Sequence, residues 1–292
     1  MLAALAGIFW GSMGIAAEVL MRDYAFATLD LVSLRLLGAG LMMLACQVLL
    51  GQKILEPFSS GGQWCAIVVY GFIMLAVQAT FFLSIDASNT ATAALMVTTV
   101  PLFVAGWEAF AEHRPFTKAE VLCVGLAIAG VSLLVTKGRL DAVDLSWGGV
   151  LWGLASAVCG AMGALQPRRV LKTVPVGVVV GWAMTIGGSA LCLVNPPAVM
   201  TENWTWLSFS LWFYIAAIGT VAAFCFFLKS LQYIPPATAS LLASFEPLSA
   251  VVLSVALLGL SLNVAECLGI LLIFVMVVLV TNPPSCLAKR HD

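Results

Sequence analysis

The sequence predicts an all-α integral membrane protein whose ten transmembrane helices form two inverted five-helix repeats. Three observations carry that reading. Of 292 residues, 62% are hydrophobic and only 9% are charged, whereas a soluble domain carries roughly 25% charged residues. Apolar runs recur along the whole chain at about the 20-residue length that crosses a bilayer. One stretch occurs twice: SIDASNTATAALMVTTVPL at 84–102 and SLQYIPPATASLLASFEPL at 230–248. At a constant offset of 146, Ser84 matches Ser230, Thr92 matches Thr238, and Pro101-Leu102 matches Pro247-Leu248.

Taken in order, the apolar segments run 2–21, 30–50, 64–84, 89–109, 118–136, 146–166, 176–194, 207–228, 236–258 and 264–282. The first begins almost at Met1 and has no cleavage-site pattern, so it reads as a span. Connections are short and leave no room for a soluble domain. Lys53, Arg114, Lys118, Arg168, Arg169, Lys172, Lys229, Lys289 and Arg290 gather on the side that holds both termini, against Arg22, Lys137 and Arg139 on the other. The positive-inside rule then places both termini in the cytoplasm. Trp64, Trp147, Trp204, Trp206 and Trp212 fall near span ends, where interfacial anchoring is the ordinary role.

The repeat extends beyond the proline segments. Gly7-Ile8-Phe9-Trp10-Gly11 in span one matches Gly149-Val150-Leu151-Trp152-Gly153 in span six, and Glu120 matches Glu266 at the openings of spans five and ten. The expected division is 1–137 for the first repeat, 138–145 for a linker, 146–284 for the second repeat and 285–292 for a cytoplasmic tail. An odd number of spans per repeat forces the second copy to insert upside down, giving a pseudo-two-fold axis in the membrane plane.

Several residues stand out against this background. Val100 in the first copy is Glu246 in the second, about 15 Å along span nine at about 1.5 Å per residue. A charged acid at that depth costs about 2.5–3.5 kcal/mol, so it must be protonated, paired or facing a wet cavity. It reads as an amine ligand or proton-coupling group, or else as a packing carboxyl bonded to backbone that Pro247 frees. Pro101 and Pro247 each remove an intrahelical hydrogen bond and read as hinges or static kinks. Arg35 in span two and Glu18 near the end of span one form a candidate outer gate or ion pair, with snorkelling of both to the interface as the plain alternative. Gln78, Thr98 and Thr99 are polar candidates for a cavity wall; Trp10, Tyr70, Trp152, Trp182 and Tyr214 are aromatic ones, although aromatics at helical spacing more often pack.

The remaining chemistry is excluded more simply. The eight cysteines (46, 65, 123, 159, 192, 225, 267 and 286) show no CxxC or other metal-ligand spacing and read as packing residues. His113 and His291 are not placed with a nucleophile and an acid, and no GxxxxGK[ST] loop is present. The expectation is a protein that is not an enzyme, with no metal, no cofactor and no nucleic-acid partner, whose partners are a small-molecule substrate and the lipid bilayer.

Ten spans built as five plus five, Trp-Gly in spans one and six, an early Arg in span two and Pro-Leu in spans four and nine together resemble EamA-like drug/metabolite transporters. The resemblance covers nearly the whole chain. The family often has Leu-Gly-Glu after span nine; here the residues are Leu258-Gly259-Leu260, and an acid, Glu112, follows span four instead. The resemblance implies a basket of helices around a central cavity, with spans five and ten at the periphery. It implies an inner-membrane secondary transporter of small organic metabolites, with export of neutral or aromatic amino acids first and multidrug export of lipophilic cations as the rival. A single chain, acting as a monomer, contains both halves that alternating access needs.

Overall fold

A computed structural model describes residues 1–88, 93, 96–111, 117–139, 146–197, 204–258 and 263–281. The tail 285–292, most of the linker 138–145, Thr92, Glu112 and His113 lie outside the described residues, as does the side chain of Glu18. The described chain is helical throughout: α1 (Leu2–Asp23), α2 (Thr28–Leu49), α3 (Gly61–Ala87), α4 (Val100–Ala111), α5 (Lys118–Thr136), α6 (Trp147–Leu165), α7 (Val176–Val194), α8 (Trp206–Tyr214), α9 (Ala223–Ser230), α10 (Pro236–Leu242), α11 (Phe245–Leu258) and α12 (Val264–Thr281). A π-helical segment, Ile215–Ala222, joins α8 to α9.

Seven of the ten expected spans are helices long and apolar enough to cross a membrane unaided. The others differ in an informative way. Span nine is not one helix. It is α10 followed, after a turn at Ala243-Ser244, by α11. In span four a turn at Thr98-Thr99 precedes α4. Each break lies just before the repeated proline, so Pro101 and Pro247 sit in the first turn of a new helix, where a missing N–H costs nothing. The chain tightens at each break: the Thr99 amide donates to Met96 O at 3.0 Å, and the Glu246 amide donates to Ala243 O at 2.9 Å. The latter bond satisfies the carbonyl that Pro247 would otherwise orphan.

The helix contacts obey the pseudo-two-fold relation. The pairs α2–α7, α5–α12 and α4–α10 join counterpart spans. The pair α1–α11 mirrors α6–α4, and α1 against the span-eight helices mirrors α6 against α3. Small residues permit these approaches. The Gly130 carbonyl lies against Gly269 where α5 crosses α12, and Gly71 lies against Gly187 where α3 crosses α7. The main apolar core is shared by spans from both repeats. The α5–α12 pair is built around its own cluster of Cys123, Val124, Ala127, Val131, Leu134, Ile273 and Met276, joined by Leu241 of α10.

The matched Glu120 and Glu266 have a local explanation. Glu120 accepts from the Thr117 amide at 2.8 Å while the Glu120 amide donates to Thr117 Oγ1 at 3.2 Å. Glu266 accepts from the Asn263 amide at 2.9 Å while its own amide donates to Asn263 Oδ1 at 2.8 Å. Both are reciprocal N-terminal caps that satisfy amide donors at a helix start.

The tightest contact of the core bears on the site below. Gly7 and Gly11 of α1 face the start of α11. A methyl at Gly7 would lie 2.9 Å from Ala243 O, and one at Gly11 would overlap Ser249 Oγ and Glu246 O. Farther along α1, a methyl at Gly14 would meet nothing within 4 Å. Gly11→Val is therefore expected to destabilise the protein by about 1–3 kcal/mol, as overpacking does, while Gly14→Ala leaves it unchanged. Thermal unfolding in detergent, read by size-exclusion, compares the two.

Candidate functional site

Glu246 stands in the first turn of α11, where the helix dipole favours an acid. The break thus places a carboxylate at a helix start within the membrane, which lowers the cost of its charge there. The side chain does not bond the backbone freed by Pro247; the Glu246 amide meets that need, and Ser249 Oγ donates to Glu246 O at 2.9 Å. The residue is exposed, and its charge interacts with that of Arg35 on α2.

Arg35 does not snorkel to the interface. Its Nη1 donates to the thioether of Met13 on α1 at 3.5 Å, and its Nε and Nη2 are buried with no hydrogen-bond partner among the described residues. Nε and Nη2 share one edge of the guanidinium, the edge that takes a carboxylate side-on through two parallel N–H···O bonds. Buried donors left unmade are costly, and native proteins rarely leave two on one group. Arg35 and Glu246 interact through their charges with no direct hydrogen bond between them, so the pair offers one group to an anion and one to a cation.

The π segment completes this region. Thr220, fully buried, donates to Ile215 O at 2.8 Å across the five-residue step that defines a π turn. Tyr214, at its start, donates to Ser12 Oγ of α1 at 2.7 Å. Arg35, Met13, Ser12, Tyr214, Thr220 and Glu246 thus converge from four spans.

The other expected site residues are distributed differently. Trp10 is half-buried against Phe224 and Phe227 of α9, with ring centroids 5.1 and 5.4 Å away. Its sequence counterpart Trp152 is exposed. Tyr70 is 2% exposed and belongs to the main core; the glycine contact of Gly71 with α7 draws α3 so close that the ring is enclosed rather than lining a wall. Trp182 donates to Ile54 O at 2.8 Å and packs edge-on with Phe58 and Trp64, at 5.1 and 5.6 Å, a cluster that closes the α2–α3 connection. Gln78 is half-buried on α3, and Thr98 and Thr99 are half-buried at the span-four break. Thr99 Oγ1 donates to Met96 O at 2.6 Å. Neither Arg35 nor Glu246 hydrogen-bonds to any of these three.

One polar group was not anticipated from the sequence. Glu108 of α4, 7% exposed, accepts from the Ala237 amide at the start of α10 at 3.2 Å and pairs with Arg168 at 3.7 Å. It ties the end of span four to the start of span nine and to the segment after span six. The signal was present in a carboxylate one residue short of the expected span end, but its acceptor role depends on a contact 129 residues away.

The sequence profile described as the EamA-like transporter family matches residues 1–136 and again 147–282. A protein of Salmonella typhimurium named as an uncharacterized inner membrane transporter, YicL, is 32% identical over 95% of this chain and 93% of its own. YedA of Escherichia coli, named in the same terms, is 27% identical over 94% of this chain and 87% of its own. The uncharacterized transporter YwfM of Bacillus subtilis is 26% identical over 96% and 92%. A solved crystal structure superposes with a TM-score of 0.81 over 96% of this chain and 95% of that one at 17% identity, which establishes the shared fold.

Glu108→Ala leaves the Ala237 amide without this acceptor, and its expected cost is about 1–3 kcal/mol of stability. The unfolding midpoint of the detergent-solubilised variant measures it, and Glu108→Gln, which keeps an acceptor oxygen, should recover part of the loss.

Proposed function

We propose, from the premise that the chain belongs to the EamA-like transporter family, that it exports neutral and aromatic amino acids by alternating access. It is a transporter of a ten-helix membrane fold and not an enzyme. The observation that carries the substrate reading is the interacting pair of Arg35, with its Nε and Nη2 edge unbonded among the described residues, and Glu246, an exposed residue at the start of α11. An amino acid is the smallest common solute that answers both charges at once and leaves the pair neutral overall. Its side chain would then rest on the apolar lining of the basket, which favours neutral and aromatic side chains over charged ones.

The two repeats, 1–137 and 146–284 joined by 138–145, supply the moving halves, with Pro101 and Pro247 at the breaks where spans four and nine bend. Gln78, Thr98 and Thr99 belong to the opposite wall of the same passage, with Trp152, while Trp10 and Tyr214 stand on the side of Arg35 and Glu246. Glu108, by joining spans four and nine, acts on the cytoplasmic closure. The names of the relatives support placement in the inner membrane, and the distribution of Lys and Arg supports cytoplasmic termini. One chain suffices for this mechanism.

An exporter of lipophilic cations on the same fold would use Glu246 alone and would find Arg35 a repulsive neighbour. Binding separates the two readings. Purified protein is expected to bind L-phenylalanine, to lose about 10- to 100-fold in affinity in both Glu246→Gln and Arg35→Met, as expected for one charge-assisted hydrogen bond of about 1.5–3 kcal/mol, and to retain its folded yield. Tight binding of a lipophilic cation that Arg35→Met strengthens would overturn the amino-acid reading. Efflux in proteoliposomes is expected to fall in parallel and to lose its pH dependence in Glu246→Gln; wild-type flux in that variant across the pH range would remove Glu246 from the mechanism.

A further inference from the structure

Arg35 is useful to a carboxylate only if its open edge is aimed, and a guanidinium on a flexible stem does not aim itself. Three features of the structure bear on this. First, the Met13 sulfur holds Nη1, the corner away from the unbonded Nε and Nη2 edge, at 3.5 Å. Second, Met13 is seated on the π segment of span eight. A methyl group at Gly219 would fall within 2.5 to 2.9 Å of the Met13 Cβ, Cγ and Sδ atoms, so only a glycine admits this approach. Third, Thr220 Oγ1 lies 3.7 Å from the same sulfur while its proton goes to Ile215 O at 2.8 Å. The π turn therefore fixes both sides of the seat, and it leaves Arg35 as the close donor to the thioether.

A thioether is a weak acceptor. It steadies the guanidinium without competing with a carboxylate for it, which a side-chain carboxylate in the same place would do. The feature breaks the pseudo-symmetry as well. The counterpart of span eight is span three, and α3 is continuous α-helix from Gly61 to Ala87. The distortion is therefore confined to the repeat copy that faces Arg35, as a local device would be.

We propose that Met13, seated on Gly219 of the π segment, is a positioning residue that aims the Nε and Nη2 edge of Arg35 at the carboxylate of the substrate, and so sets the preference for amino acids over amines. This rests on the amino-acid reading above. The ligand pair that tests it is L-phenylalanine and phenylethylamine, which share the ammonium group and ring and differ by the carboxylate.

Affinities for both are measured by calorimetry on the purified full chain, for the wild type and for Met13→Leu, Met13→Gln, Gly219→Ala and Arg35→Met. Met13→Leu keeps the volume and removes the acceptor. It is expected to weaken L-phenylalanine about fivefold, the worth of one weak hydrogen bond of about 1 kcal/mol, and to leave phenylethylamine unchanged. Gly219→Ala, by displacing the seat, is expected to do the same, and Met13→Gln, whose amide oxygen again accepts from Nη1, to restore the preference. Equal loss of both ligands in Met13→Leu would mark a purely structural role and overturn the inference. So would wild-type affinities for both. If Arg35→Met loses L-phenylalanine while Met13→Leu does not, this inference alone fails. If the wild type does not prefer L-phenylalanine to phenylethylamine, the amino-acid reading fails and this one fails with it.

Discussion

Backbone polar groups in hydrocarbon must be satisfied within the protein, because no water is there to take their place. The structure meets this constraint nearly everywhere with unbroken helix, and the candidate site lies where it does not. Span nine is interrupted at Ala243-Ser244, and the interruption is affordable only because α1 lies directly against it. Gly7 and Gly11 let the α1 backbone reach the break, while Ser249 Oγ sits 3.4 Å from the Gly7 and Ile8 carbonyls and closer still to Glu246 O. The same contact sets the position of the α11 start, and with it the position of Glu246. A charge in the membrane, a broken helix and a glycine stripe are in this sense one construction.

Around that construction the two repeats are alike in contacts and unlike in detail. Counterpart spans pair with counterpart spans, and both proline segments break at equivalent places. The departures from symmetry are concentrated near Arg35: Glu246 where the first copy has Val100, a π segment where the first copy has plain helix, and Trp10 packed where Trp152 is exposed. A symmetric pair of halves allows two arrangements of similar energy. The interaction of opposite charges on spans two and nine has no counterpart in the other half, where Val100 stands in place of Glu246.

Much of this architecture was readable from residues alone, and the limits of that reading are physical. Span positions follow from hydropathy because insertion is governed by residue-by-residue transfer, and the repeat follows from residue identity at a fixed offset. The matched prolines stand beside the helix breaks, but the sequence does not disclose what the breaks become. Whether a proline kinks a helix or restarts one is decided by the neighbour that covers the freed groups, and that neighbour, α1, is more than two hundred residues away in the chain. The same distance hid the interaction of Arg35 with Glu246, while Glu18, the nearer acid and a candidate partner across a short loop, has its side chain outside the described residues. Tyr70 was read as a wall residue because its polar tip invites that assignment; a close glycine crossing with α7 encloses it instead. The π segment leaves no trace in composition, since an insertion of backbone register does not alter which residues are apolar.

The self-contained caps of α5 and α12 bear on how such a chain is built by a ribosome. The α5 helix carries its glycine seam at Gly130, and the surface that fills it, around Gly269, is made only after more than one hundred further residues. At about 5–20 residues per second, α5 must rest in lipid for several seconds or longer with that groove unfilled. Its Thr117–Glu120 cap makes the helix start complete without a tertiary partner, and Asn263–Glu266 does the same for α12 when it arrives. These two helices are thereby able to wait, so that α12, synthesised later than α5, closes their seam by pairing with a helix already in place.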